Sequence, residues 1–179
     1  NSSNKGMFEG CTNLASVKLP SQLTEIKQSA FKDSGIKTLD LSSYDDGSLT
    51  IYEGAFSGAK YLTALDLTKV GTLYLYHTFD GCAALTSLTI DNDIKLLGKA
   101  DSSSTYYYAG FAKASVKEIT IDQDILSSMF KGNTNLTKVT LGENVTKIAD
   151  SAFEGCTKLA TVDTAAVGTL DIGASAFSG

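Results

Sequence analysis

Few side chains in this chain could carry out chemistry. One histidine, three cysteines and twenty carboxylates stand beside fifteen lysines, with no arginine, in 179 residues of net charge −5. A nucleophile needs a base beside it, and a zinc site needs clustered Cys or His ligands. His77, in Leu75-Tyr76-His77-Thr78-Phe79, lies in a turn with no companion that the spacing would place beside it, so it reads as a solvated turn residue. Cys11, Cys82 and Cys156 are separated by 71 and 74 residues, which fits no metal-knuckle spacing. Two acidic triplets remain, Asp91-Asn92-Asp93 and Asp122-Gln123-Asp124, whose oxygens would suit a hard cation. The lack of guanidinium groups and the negative balance argue against nucleic acid, and no apolar run approaches the ~18 residues of a membrane span.

The elements that must position these residues are set by a repeat. All eight phenylalanines, Phe8, Phe31, Phe56, Phe79, Phe111, Phe130, Phe153 and Phe177, recur at intervals of 23, 25, 23, 32, 19, 23 and 24 residues. Their surroundings recur too. Met7-Phe8-Glu9-Gly10-Cys11-Thr12-Asn13-Leu14 returns as Thr78-Phe79-Asp80-Gly81-Cys82-Ala83-Ala84-Leu85 and as Ala152-Phe153-Glu154-Gly155-Cys156-Thr157-Lys158-Leu159. After each Phe comes a short apolar alternation: Leu14-x-x-Val17-x-Leu19, Leu62-x-x-Leu65-x-Leu67, Leu85-x-x-Leu88-x-Ile90 and Leu136-x-x-Val139-x-Leu141. It sits one residue earlier as Ile36-x-x-Leu39-x-Leu41 and Val116-x-x-Ile119-x-Ile121. Its period of two predicts a strand with one buried face. A second apolar pair precedes the next Phe, as in Leu23/Ile26, Leu49/Ile51, Leu73/Leu75, Val145/Ile148 and Leu170/Ile172. Each unit therefore supplies two short extended segments and two turns, and a unit of about 23 residues buries its apolar face only by stacking on its neighbours.

The L-x-x-L-x-L core alternating with Ala-Phe-x-Gly-Cys resembles the BspA-like leucine-rich repeats, most closely over Val145-Thr146-Lys147-Ile148-Ala149-Asp150-Ser151-Ala152-Phe153-Glu154-Gly155-Cys156. The resemblance covers nearly the whole chain. It implies a β-rich, right-handed leucine-rich-repeat solenoid, here of about eight coils, displayed on or secreted from a microbial cell and working by binding rather than catalysis. Residues 1–179 read as one such domain, with neither end supplying a polar capping repeat, as in a segment of a longer protein. The fifth coil departs from the pattern, with Phe111-Ala112-Lys113-Ala114 in place of the Gly-Cys element and a short interval to Phe130. Local irregularity is expected there.

In a stacked solenoid, one position per coil becomes one column on the surface. The residue between the last two apolar strand positions runs Lys18, Asp40, Asp66, Thr89, Thr120, Thr140 and Asp163. This acidic, hydroxyl-rich column serves either solubility and edge protection or docking of a protein or glycan ligand, a host molecule among the candidates. The two acidic triplets occupy equivalent positions in adjacent coils, one ~4.8 Å step apart. Asp91, Asp93, Asp122 and Asp124 then either cluster around a cation such as Ca²⁺ or splay into solvent, and no twelve-residue calcium loop surrounds them. The longest interval holds an insertion, residues 98–110, containing Tyr106, Tyr107 and Tyr108. Insertions in repeat proteins often lie on the binding side, and three consecutive tyrosines cannot all point inward. They either cover the gap at the fifth coil or form a contact surface, and Tyr74 and Tyr76 suggest a further aromatic strip.

The cysteines share a slot three residues after Phe that holds Ser34, Ala59 and Ala114 in other coils, so small size selects it. Three coil steps put Cys82 about 14 Å from each of the other two, beyond the ~7 Å that a disulfide spans. No disulfide is expected, no cofactor is implied, and no residue is assigned a catalytic role. The reading is a non-catalytic binding or adhesion module, with a structural spacer as the alternative.

Overall fold

The computed structural model describes residues 5–45, 47–98 and 110–179. Its framework is a parallel β-solenoid with two strand-bearing sides. The first side carries the strands of the L-x-x-L-x-L segments: β1 (Ser16–Lys18), β3 (Thr38–Asp40), β6 (Ser87–Ile90), β8 (Glu118–Ile121), β9 (Lys138–Leu141) and β11 (Thr161–Asp163). The second carries those that precede each Phe: β2 (Glu25–Ile26), β4 (Leu49–Ile51), β5 (Val70–Tyr74), β7 (Lys95–Leu97), β10 (Lys147–Ile148) and β12 (Asp171–Ile172). Each side therefore has six strands among the described residues. The regular repeat comes to about six turns, fewer than the eight expected from counting phenylalanines, because an isolated Phe turn is not a complete coil.

Every named strand pair is parallel, and the register joins equivalent positions of successive coils. On the first side β1 pairs with β3, and β6, β8, β9 and β11 form one ladder. In it Leu88, Ile119, Val139 and Val162 lie in line. On the second side β2, β4, β5 and β7 form a ladder in which Ile26, Ile51, Leu73 and Leu96 align. The inward residues of both ladders belong to one continuous core cluster.

The phenylalanines complete this core as an uninterrupted row. Successive rings from Phe8 to Phe177 stack with centroids 5.0 to 6.5 Å apart and interplanar angles of 2° to 20°. The six inner rings are almost wholly buried, whereas Phe177 is 42% exposed. The long interval to Phe111 does not break the row, since Phe79 and Phe111 stack at 5.5 Å.

Five of the rings, Phe31, Phe56, Phe79, Phe130 and Phe153, sit in turns bracketed by two left-handed residues. Ser29, Gly54, His77, Ser128, Ser151 and Ser175 lie two before a Phe, and Gly10, Asp33, Gly58, Gly81, Gly132 and Gly155 lie two after one; all have φ between 54° and 75°. The second position explains the Gly of Phe-x-Gly, because a left-handed backbone costs other residues about 1–2 kcal/mol. The tight curl lets a Phe amide donate to the carbonyl before the next coil's Phe, as in Phe31 to Ala55 (2.8 Å) and Phe153 to Ala176 (2.7 Å).

Two departures matter. In the third coil Leu62, Leu65 and Leu67 are buried, yet their segment forms no strand. The compensation lies on the second side, where β5 is the longest strand and a register shift separates Leu49 from Thr50. Gly71 is required there, because a Cβ would overlap the Gly47 carbonyl oxygen. The irregularity expected at the fifth coil is observed: its second segment shrinks to one bridge, Ile125 to Ile148.

All three cysteines are free thiols. Their slot does not select small size alone. The Cys82 thiol donates to the Phe56 carbonyl and the Cys156 thiol to the Phe130 carbonyl, each at 3.1 Å. Asn133 fills the same slot and donates its amide to the Phe111 carbonyl at 2.7 Å. Burial pushes the Cys82 thiol up to about 12.

Two outcomes follow from this packing. Phe130→Ala should lose about 3–5 kcal/mol in denaturant unfolding, and Phe177→Ala clearly less; equal losses would mean the row does not carry the core. At neutral pH iodoacetamide should alkylate exposed Cys11 and spare Cys82, read by peptide mass mapping, with all three thiols titrating after denaturation. Alkylation of Cys82 in the folded protein would contradict its burial.

Candidate functional site

The outward column on the first side is real over most of its length. Thr89, Thr120, Thr140 and Asp163 are neighbours in register across β6, β8, β9 and β11, and Lys18 lies opposite Asp40 across β1 and β3. Asp66 falls in the third coil, where there is no strand, so it breaks the column rather than continuing it.

The aspartates do not simply face solvent. Asp40 Oδ1 accepts from the Ser42 amide at 3.0 Å and its hydroxyl at 2.6 Å, and Asp66 Oδ1 accepts from the Thr68 amide at 2.9 Å and its hydroxyl at 2.7 Å. Asp163 Oδ1 likewise accepts from the Ala165 amide at 3.0 Å. These carboxylates close the turn that leaves the strand, in the manner of an Asx-turn. The threonines of the column make no such local bond, which leaves Thr89 and Thr120 as outward-facing hydroxyls.

The missing strand leaves a hollow of about 360 Å³ beside the column. Asp66, Ser87, Thr89, Asp91, Glu118 and Thr120 are among its lining, which holds three carboxylates and no lysine. The hollow is thus an acidic concavity that also presents the hydroxyls of Thr63, Thr68, Ser87, Thr89 and Thr120.

The four aspartates considered for a cation do not converge. Asp122 accepts from the Asn144 amide (3.0 Å) and side chain (2.8 Å) of the next coil. Asp124 Oδ1 accepts from the amides of Thr146 and Lys147, both at 2.8 Å. Asp91 and Asp93 instead line a hollow that opens toward Gly47 and Thr68 of earlier coils. Among the described residues no three His, Cys, Asp or Glu side chains gather as a cation site. Of the two arrangements considered, the cation cluster does not form among the described residues: amides of the next coil satisfy Asp122 and Asp124.

Tyr106, Tyr107 and Tyr108 lie outside the described residues. The residues flanking them can be placed: the Gly98 carbonyl accepts from the Tyr76 amide at 3.0 Å, and Gly110 sits against Leu75. The insertion thus leaves and rejoins the coil at the end of the second side, not on the side of the Asp/Thr column. Tyr74 stacks on Tyr52 of the preceding coil at 5.0 Å. Tyr52 in turn donates its hydroxyl to Glu25 at 2.8 Å and lies under the Lys27 ammonium at 5.0 Å. Lys27 beside it, and then the Tyr52 hydroxyl, hold the Glu25 carboxyl below the usual range.

His77 has a companion after all: its Nδ1 lies 2.6 Å from Asp80 Oδ2, with Tyr76 edge-on at 4.0 Å. No hydroxyl or thiol bonds its other ring nitrogen among the described residues, so the pair lacks a nucleophile. Sequence reasoning missed Glu53, a buried carboxylate three residues before Phe56. Its only signal was an acidic residue in a slot that Gln28, Tyr76 and Ser127 fill in other coils and that Asp150 shares as an acid.

Parallel coils, an unbroken Phe row and outward polar columns define a leucine-rich-repeat solenoid. The model of the BspA type leucine rich repeat region, in six copies, matches residues 2–105 and 104–179, and the chain belongs to that family. A search of solved structures finds a crystal structure of a leucine-rich repeat protein from T. pallidum (TpLRR), which is 20% identical. The match has a TM-score of 0.52 and covers 88% of this chain and 72% of that one, a likeness of fold. No curated protein matches the sequence. Repeats of this family generally mediate protein binding, are generally non-catalytic and are typically found on surface or secreted proteins. No described helix is long and apolar enough to cross a membrane.

Acid stability tests the role of the column aspartates. Their own turns hold both Asp40 and Asp66 below the usual carboxyl range, through the Ser42 and Thr68 hydroxyls first and amides second. Unfolding in acid takes up protons that the folded chain binds more weakly, so this stabilisation is present above about pH 4 and lost below it. The Asp40→Asn, Asp66→Asn double variant should show a flatter fall of stability between about pH 5 and 2, measured by urea unfolding; an unchanged slope would count against these turns.

Proposed function

We propose that this chain is a non-catalytic binding module of a surface-displayed or secreted microbial protein. Its first strand-bearing side docks a protein or glycan ligand. The observation that carries this reading is the acidic, hydroxyl-lined hollow at the third coil, continuous with the outward Thr89, Thr120 and Thr140 of the adjoining ladder. A regular solenoid presents flat columns, and a missing strand turns one into a concavity with convergent acceptors. Such a site suits a partner rich in hydroxyl or ammonium donors, which hydrogen-bond carboxylates and threonines without needing an apolar anchor. Tyr106, Tyr107 and Tyr108 would add a second contact, with the rigid amphipathic area that favours tyrosine at interfaces. The turn-closing bonds of Asp40, Asp66 and Asp163 favour the rival reading, a solenoid spacer whose polar columns serve its own backbone.

The two readings part in one experiment. Binding of the chain to arrayed extracellular-matrix proteins and glycans should fall at least about tenfold in a Thr89→Arg, Thr120→Arg, Thr140→Arg variant whose circular dichroism is unchanged. A Thr50→Arg, Thr72→Arg control on the second side should retain it. Equal binding by both variants, or no retention by the native chain, would overturn the docking face in favour of the spacer.

A further inference from the structure

We propose that a second site, on the edge formed by the phenylalanine turns, binds an alkylammonium group through Glu53. Two hollows meet there. One of about 220 Å³ is lined by Gln28, Ser29, Lys32, Glu53, Ser57 and His77, among others, from three successive turns. The other, of about 600 Å³, includes Lys5, Met7, Lys27, Tyr52 and again Glu53. Glu53 and Gln28 line both. It is 7% exposed, and its Oε2 is enclosed without a hydrogen-bond partner.

The reason it is unpartnered is visible in the stack. In the equivalent slot of a later coil, Asp150 Oδ1 accepts from the Ala174 amide at 2.8 Å, the same slot one coil on. For Glu53 that amide belongs to Tyr76, which already donates to the Gly98 carbonyl at 3.0 Å. Glutamate's extra methylene also carries its carboxylate past the backbone that an aspartate would reach. The bond that Asp150 makes is thus not available to Glu53, and a buried carboxylate is left without the pairing that normally offsets its desolvation.

Neighbouring charges do not compensate it. Lys27 pairs with Glu25, Lys32 lies 3.8 Å from Glu9, and His77 bonds Asp80. Lys5 lines the larger hollow but makes no ion pair with Glu53 among the described residues. The uncompensated charge selects a cation. An ammonium brings three donors, which Glu53, the Gln28 carbonyl and the Ser29 or Ser57 hydroxyls can accept. The guanidinium fork needs both carboxylate oxygens at once, and one is enclosed. A turn about the broad, two-fold terminal torsion of Glu53 brings an oxygen to the ligand. The group could be a lysine side chain of a protein partner or a free amine.

Amide NMR of the full chain tests this with two probes, Nα-acetyl-lysine methylamide and butylamine, against the norleucine analogue as the uncharged control. Saturable shifts at Gln28, Ser57 and His77 with an amine probe and none with the control are expected. Stronger binding of the lysine derivative would identify a protein side chain as the natural donor, and stronger binding of butylamine a free amine. Glu53→Gln should weaken binding at least about tenfold and raise the melting temperature, with circular dichroism checking the fold. The Thr89/Thr120/Thr140 variant should titrate as the native chain does, so this site and the strand face fail independently. Absence of saturable shifts, an equal response to the control, or undiminished binding by Glu53→Gln would overturn the site. So would a melting temperature lowered alike by Glu53→Gln and Lys5→Ala, which would mean that Lys5 already occupies it.

Discussion

No coil of this protein can bury its own apolar face, and the contact that resolves this is the face-to-face passage from one coil to the next. Eight phenylalanine rings in one row and two parallel ladders are the visible form of that constraint. Stability in such a stack is a sum of repeat and neighbour terms, so every coil must offer the same contacts at the same height. The left-handed residues on both sides of most Phe follow directly, because a tight curl brings a Phe amide onto the carbonyl of the next turn.

The same constraint explains which side chains are free to act. Wherever a polar group can reach a neighbouring coil's backbone, it tends to be used there: Cys82 and Asn133 on the preceding coil's Phe carbonyls, Asp122, Asp124 and Asp150 on the next coil's amides. These groups complete the ladder between strands. Groups outside that arrangement are fewer and more informative. The outward threonines, the acceptors around the third-coil hollow and the enclosed Glu53 have no such bond to make. Function is therefore best sought where the repeat is interrupted: at the missing strand, at the crowded second side around Gly71 and at the single bridge of the fifth coil.

Much of this architecture was legible in the sequence. The Phe spacing implied a continuous ring stack, the alternations named the buried leucines, and the column Thr89, Thr120, Thr140 and Asp163 was in register as read. The departures share a cause. The regular turns number about six rather than about eight, the segment of Asp66 forms no strand, and of the two arrangements open to the four aspartates the cluster does not form among the described residues. In each case the periodic pattern gave the right side of the coil but not whether the local backbone closed its hydrogen bonds. The buried leucines of the third coil are the clearest instance, since their inward face is kept while the strand is lost.

What the sequence alone determined is the repeat: which residues face in, which face out, and that neighbours must stack. A period of side-chain type carries that information because burial depends on residue chemistry and spacing. Only the tertiary structure decided which polar atoms remain unpaired. The Tyr76 amide is withheld from Glu53 because the fourth coil's Gly98 carbonyl has taken it, a competition between segments far apart in the chain. Hydrogen-bond partners of this kind depend on three-dimensional reach, and no local pattern records them.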